Sequence, residues 1–261
     1  MFEGKYFLFN LEKGIGTLTL NRPPYNIFEA GFYVELGETE DFIAKQEGIR
    51  CLIINANGKC FSAGIDLNYL QGVSSAYVLE KLPWLQKIYG FWQEQNYPVI
   101  AAVQGMCTGS GLEFILGADI RIAAEDARFS LPEVQLGLSP DMGGTSRLTR
   151  LVGLGQAKRL ILTGEEIGAE EALHIGLVEA VVPLEELNSR ALKMAKTIAR
   201  SPEAAVRFAK KGVNLTDEGG LRAGQIFEQA QSTYCCGTED LQKAVAAYLA
   251  MISAKGKKIK L

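Results

Sequence analysis

The sequence predicts an α/β fold, and two observations carry that prediction. Short apolar runs of strand length are followed, several times over, by loops of small residues and then by segments with helical patterning. No linker rich in Pro, Ser or charge interrupts the series, and no internal repeat or low-complexity tract is visible. Parallel strands joined through helices need crossover connections, which are right-handed. The 261 residues, 48% hydrophobic and 22% charged, suffice to bury a core as one large domain or two small ones.

The elements follow in order. Residues 16–20 alternate small and β-prone side chains before the turn signal Asn21-Arg22-Pro23-Pro24, which predicts a strand. Residues 28–45 form a helix with acidic residues on its outer face. The continuous apolar run at 51–56 suits a strand buried on both faces, and Asn57-Gly58 ends it as a turn. A small-residue loop at 61–67 leads into a helix over 78–94. A second buried strand spans 98–103, then a glycine-rich loop at 104–111 opens a helix at 112–116, and 120–124 is the next strand. From residue 145 the pattern turns helical, with segments at 145–152, 154–162, 169–175, 187–199, 202–211 and 221–251. The reading is therefore an α/β core to about residue 195 and a helical part over 196–261.

Composition narrows the chemistry. With 27 Lys and Arg against 30 Asp and Glu, the net charge of -3 offers no field for a nucleic-acid backbone. No apolar run spans a bilayer and no signal-peptide design opens the chain, so a cytoplasmic protein is expected. The five cysteines, Cys51, Cys60, Cys107, Cys235 and Cys236, lack metal-ligand spacing and read as reduced thiols. His174 is the single histidine. It reads as an ordinary helix residue before Gly176, so chemistry must rest on carboxylates, backbone dipoles or a bound cofactor.

Two loops share one design. Ser62-Ala63-Gly64-Ile65 and Thr108-Gly109-Ser110-Gly111 each follow a buried strand, allow close approach of backbone to ligand, and lead into a helix with unpaired N–H groups. Converging, two such donors make an oxyanion hole; singly, each loop is equally well a tight turn. The glycine spacing at 105–111 is wrong for a dinucleotide fingerprint. Glu113, inside the apolar run Leu112-Glu113-Phe114-Ile115-Leu116, and Glu133, after Pro132, are carboxyls in apolar surroundings. Each needs a structural partner or has a raised pKa fit for acid and base work. Asp141 reads as an N-cap of a helix starting after it, or as a third carboxylate of a site.

Taken together, the strings Phe61-Ser62-Ala63-Gly64-Ile65-Asp66-Leu67, Pro98-Val99-Ile100-Ala101-Ala102-Val103-Gln104-Gly105, Gly109-Ser110-Gly111-Leu112-Glu113 and Pro132-Glu133-Val134-Gln135-Leu136-Gly137-Leu138, with Pro140-Asp141-Met142-Gly143-Gly144-Thr145-Ser146-Arg147-Leu148, resemble the crotonase, or enoyl-CoA hydratase/isomerase, family. The order and spacing hold over residues 16–183. The resemblance implies a crotonase-like spiral of ββα turns with a helical C-terminal trimerisation region, forming homotrimers often stacked as hexamers. It implies an acyl-CoA thioester substrate and no cofactor beyond the CoA that the substrate carries. By position, the oxyanion-hole N–H groups fall on Ile65 and Ser110, and the catalytic glutamates of a hydratase on Glu113 and Glu133. The substrate-lining positions fall on Tyr25, Ala63, Asp66, Leu67 and Gly109, with Asp141 facing the acyl chain.

The sequence departs from that pattern at Ser110, where family hydratases usually have glycine, and at the bulky Leu112. Hydration of a 2-enoyl thioester is the expected reaction and double-bond isomerisation the alternative; Glu113 favours the first, because simple isomerases of the family typically lack it. An RNA-binding relative would want a lysine-rich helix, and a non-catalytic CoA-binding relative would lack a glutamate. Trp84, Tyr89 and Trp92 belong to the core or line an acyl pocket for a bulky group. The lysine-rich end, 255–260, reads as a solvated tail.

Overall fold

A computed structural model describes residues 1–254, so the tail at 255–260 lies outside the described residues. The chain divides into two compact units, Met1–Ile198 and a second beginning at Ala199.

The first unit is built on a seven-stranded sheet. β1 (Phe2–Glu3), β2 (Phe7–Glu12) and β3 (Ile15–Leu20) form an antiparallel meander. β3 then pairs in parallel with β4 (Cys51–Ala56), and β5 (Val99–Val103), β7 (Ile120–Ala124) and β10 (Ala180–Val182) continue the parallel part. All five residues of β5 are buried, as expected of a parallel strand covered on both faces. The buried Arg121 on β7 is held by Glu179 at 2.5 Å and by the carbonyls of Leu177 and Ala118. That network ties the end of the sheet to the segment before β10.

A second sheet joins β6 (Met106–Thr108) to β8 (Arg128–Ser130) in parallel and β8 to β9 (Ile167–Gly168). The chain thus lays one strand in the large sheet and one short strand in the small sheet before each helix: β5 and β6 precede α4 (Ser110–Ile115), and β7 and β8 precede a 3₁₀ turn at Glu133–Leu136. This is a ββα spiral. The turn before it, after β4, contributes a single bridge residue, Ser62, which pairs with Cys107. Sequence reading missed the six-residue β2, and also β1, β10 and the strands of the second sheet, whose two or three residues have no period to read.

Helices pack outside. α1 (Ala30–Ala44) and α3 (Ser75–Glu94) lie against one another and the sheet; α2 (Leu67–Gln71) links the 60s loop to α3. Within α3, Ile88, Tyr89 and Trp92 share the buried face at helical spacing, while Trp84 is partly exposed. Tyr89 and Trp92 both meet the Phe114 ring edge-on at 5.6 Å, so these two aromatics belong to the core. α5 (Ser146–Thr163) contains the break expected near residue 153: Gly153 has φ +77° inside it. α6 (Ala169–His174) and α7 (Leu187–Ala199) match their predicted spans closely.

In the second unit α8 (Glu203–Cys236) turns at Gly220, φ +77°, and its two halves run back along each other. Phe208 packs on Phe227 and Tyr234, and Gly224 leaves room for Thr216. α9 (Glu239–Ala254) follows. Among the described residues, no helix is long and apolar enough to cross a membrane. The five cysteines are free thiols, three of them buried.

Candidate active site

The small sheet explains why distant residues meet. Its register sets Ser62 beside Cys107 and Cys107 beside Phe129. Three residues beyond Ser62 lies Ile65; three beyond Cys107 lies Ser110; four beyond Phe129 lies Glu133. Successive spiral turns therefore deliver both predicted N–H donors and one glutamate to the same side.

Close packing holds the two donor loops. Thr108 N–H donates to the Ser62 carbonyl at 3.0 Å and Ser62 N–H to the Met106 carbonyl at 2.9 Å. Gly64, at φ +85°, runs so near Thr108 that a β-carbon there would lie 2.7 Å from the Thr108 carbonyl oxygen. Gly111 faces Ser62, where a β-carbon would come within 2.7 Å of the Ser62 Cβ. Gly64, Asp66 and Gly109 spend their N–H groups on Ser62 Oγ and the carbonyls of Phe28 and Ser130. Among the described residues, the intervening N–H groups of Ile65 and Ser110 have no backbone acceptor, and Ser110 is the first residue of α4, where no intrahelical partner exists.

Glu113 lies in α4, 2% exposed. Its Oε1 accepts from the N–H groups of Met142 and Gly144, at 2.8 and 2.9 Å. Those bonds favour the anion, yet burial outweighs them and, with the charges of Glu133 and Asp141, pushes its pKa up to about 8. Glu133 is less buried, its Oε2 lies shielded from solvent without a hydrogen-bond partner, and burial followed by Asp141 pushes its pKa to about 6. Gly109, φ +54°, gives Glu133 room: a β-carbon there would meet its Oε1 at 3.0 Å. The two carboxyls thus sense one another and differ in proton affinity.

Asp141 does not cap a helix. α5 begins only at Ser146, with Thr145 before it, and the segment at 141–144 instead runs as irregular backbone whose N–H groups serve Glu113. The Asp141 carboxyl is pushed above its usual range by burial and acts electrostatically on both glutamates. Its carbonyl accepts from Gln86 of α3 at 2.8 Å. Tyr25 and Leu67 are exposed, and the Tyr25 carbonyl accepts from Ala63 N–H. Asp66 caps α2 through Asn68 N–H, which holds its carboxyl below the usual range.

A family model described as enoyl-CoA hydratase/isomerase matches residues 10–255. The chain belongs to the enoyl-CoA hydratase/isomerase family. It is 35% identical over 240 residues to a crotonyl-CoA hydratase from Syntrophomonas wolfei, covering 91% of this chain and 92% of that protein. It is 36% identical over 233 residues to a 2,3-dehydroadipyl-CoA hydratase from Escherichia coli, covering 89% and 91%. The solved enoyl-CoA hydratase from Bacillus anthracis superposes with a TM-score of 0.88 at 32% identity, over 94% of this chain and 96% of that one.

For this family member, several residues at the site escaped sequence reasoning. Ser62 is one: its hydroxyl donates to the Asn26 carbonyl at 2.7 Å and accepts from Gly64 N–H at 3.0 Å, which sets the curvature of the first donor loop. The donors from Met142 and Gly144 are others; the doublet Gly143-Gly144 was the available signal. A β-carbon at Gly144 would crowd Glu113 Oε1 at 2.9 Å, so the second glycine clears the carboxyl. Tyr33 is the fourth, buried beside the Ser110 side chain. Among the described residues no group of His, Cys, Asp and Glu is arranged to hold a metal ion.

Proposed function

We propose that this chain is an enoyl-CoA hydratase, adding water across the 2,3 double bond of an acyl-CoA thioester. The observation that carries the reading is the meeting of a buried and a half-buried carboxyl of different proton affinity with two N–H donors from neighbouring spiral turns. The thioester oxygen lies between the N–H groups of Ile65 and Ser110, which stabilise the charge that develops there more than they stabilise the ground-state carbonyl. Tyr25, Ala63, Asp66, Leu67 and Gly109 line the CoA and thioester path.

Near neutral pH Glu133 is the ionised member and Glu113 the protonated one. Water between them gives a proton to Glu133 as its oxygen bonds to Cβ. The π electrons move toward the thioester oxygen, and the enolate collapses by taking the Glu113 proton at Cα. Proton exchange between the two carboxyls then restores the starting state. No cofactor or metal enters this scheme; CoA arrives as part of the substrate.

Asp141 favours a second reading, double-bond isomerisation, because a third carboxyl beside the pair can move a proton along the acyl chain. Incubating the protein with 2-enoyl and 3-enoyl CoA thioesters separates them. A product heavier by one water supports hydration; a product of unchanged mass with a shifted double bond replaces it with isomerisation. We also propose a homotrimer or a hexamer of two trimers. Exposed apolar residues on α8 and α9, among them Val213, Leu221, Ile226 and Leu249, support that state. A cytoplasmic location accords with five free thiols, and a place in fatty-acid metabolism belongs to the same proposal.

A further inference from the structure

Behind the donor loops lies a file of tyrosines that the hydration scheme does not use. Tyr77 is exposed on α3, and its hydroxyl pairs with that of Tyr69 at 2.9 Å. The Tyr69 ring lies 6.3 Å from that of Tyr33, Tyr33 lies 6.5 Å from Tyr89, and Tyr89 lies 5.6 Å from Phe114, the neighbour of Glu113. The file leads from the surface to the floor of the site. At its inner end Tyr33 is 3% exposed and Tyr89 0%, and their hydroxyls reach toward one another and the Ser110 side chain without closing a hydrogen bond. Both lie near the Ser110 side chain and within electrostatic reach of Glu113.

Buried phenols without partners are costly unless a ligand completes them. A purely hydrocarbon acyl group would gain nothing from the three hydroxyls of Tyr33, Tyr89 and Ser110. We infer that Tyr33, Tyr89 and the Ser110 side chain form a polar recess selecting a 2-enoyl-CoA whose acyl group carries an uncharged oxygen, a hydroxyl or ketone, close to the double bond. The inference rests on the hydratase reading of this site. Burial keeps both phenols protonated, so each can donate as well as accept. A carboxylate substituent would enter beside the Glu113–Glu133 pair, which carries a negative charge near neutral pH.

Pairs of thioesters equal in shape test it. Affinity is measured by calorimetry for the unreactive 4-oxopentanoyl-CoA and 4-methylpentanoyl-CoA. Turnover is measured for trans-4-hydroxypent-2-enoyl-CoA and trans-4-methylpent-2-enoyl-CoA. The protein prefers the oxygenated member of each pair by about tenfold or more, and Tyr33→Phe and Tyr89→Phe, which keep the ring, bring the ratios toward one. Equal affinity for the saturated pair in the unmodified protein overturns the inference, as does a preference that both variants retain. A binding preference with no hydration of either enoyl substrate leaves the recess standing and sinks the hydratase reading alone.

Discussion

Two buried glutamates in the first unit, Glu113 on α4 and Glu40 on α1, are 2% and 4% exposed, and burial raises the pKa of both. Glu113 receives two backbone N–H groups and shares its surroundings with Glu133 and Asp141. Glu40 has an Oε1 with no partner; Asp41 raises its pKa further, Lys87 on α3 lowers it, and the balance leaves it at about 10. Burial alone therefore does not mark an active carboxyl. What distinguishes Glu113 is that two N–H donors draw its raised pKa back toward neutrality and a second acid of different affinity stands beside it.

The largest effect expected from this contrast is on turnover. Glu113→Gln or Glu133→Gln lowers the hydration rate by about 10²–10⁴-fold, whereas Glu40→Gln leaves it within experimental error; steady-state assays with crotonyl-CoA make the comparison. Full activity in both site variants would remove the pair from the mechanism. Next comes the pH profile of kcat/KM. Glu133 must be ionised, so the rate rises with pH through about 6; Glu113 must hold its proton, so the rate falls above about 8. Because the two carboxyls interact, these limbs belong to the pair. A profile rising without a fall beyond pH 9 would remove Glu113 as the general acid.

The smallest effect is on stability and belongs to Glu40. Its folded-state pKa lies above the unfolded value, so between about 4.5 and 10 the folded chain binds the extra proton and loses stability as pH rises, by up to about 1.4 kcal/mol per pH unit. Glu40→Gln flattens that dependence and stabilises the protein by about 1–3 kcal/mol at pH 8, readable as a higher urea midpoint whose gap from the parent protein widens with pH. An unchanged midpoint at pH 6 and pH 8 would show that Glu40 has found a partner.

How far these features could be read beforehand depended on whether they were local. The buried strands at Cys51–Ala56 and Ile120–Ala124 were legible because uninterrupted apolar side chains suit a strand covered on both faces. Gly153 and Gly220 ended helices where the pattern broke. The capping role of Asp141 was misread because an acid ahead of a glycine doublet looks like a cap, while here the backbone at 141–144 is held out of helix to serve Glu113. Tyr33 was invisible, since a tyrosine on an amphipathic helix carries no mark of what it will face.

The sequence by itself determined the α/β class, the two donor loops and the unusual placing of two glutamates in apolar runs, because side-chain polarity and glycine content act within a few residues. Only the tertiary structure decided that Ile65, Ser110 and Glu133 meet, through the register of Ser62, Cys107 and Phe129 across a sheet whose strands are two or three residues long. It alone also separated Glu113 from Glu40. A carboxyl's proton affinity is set by the dielectric and the donors around it, and those come from chain segments far away in sequence.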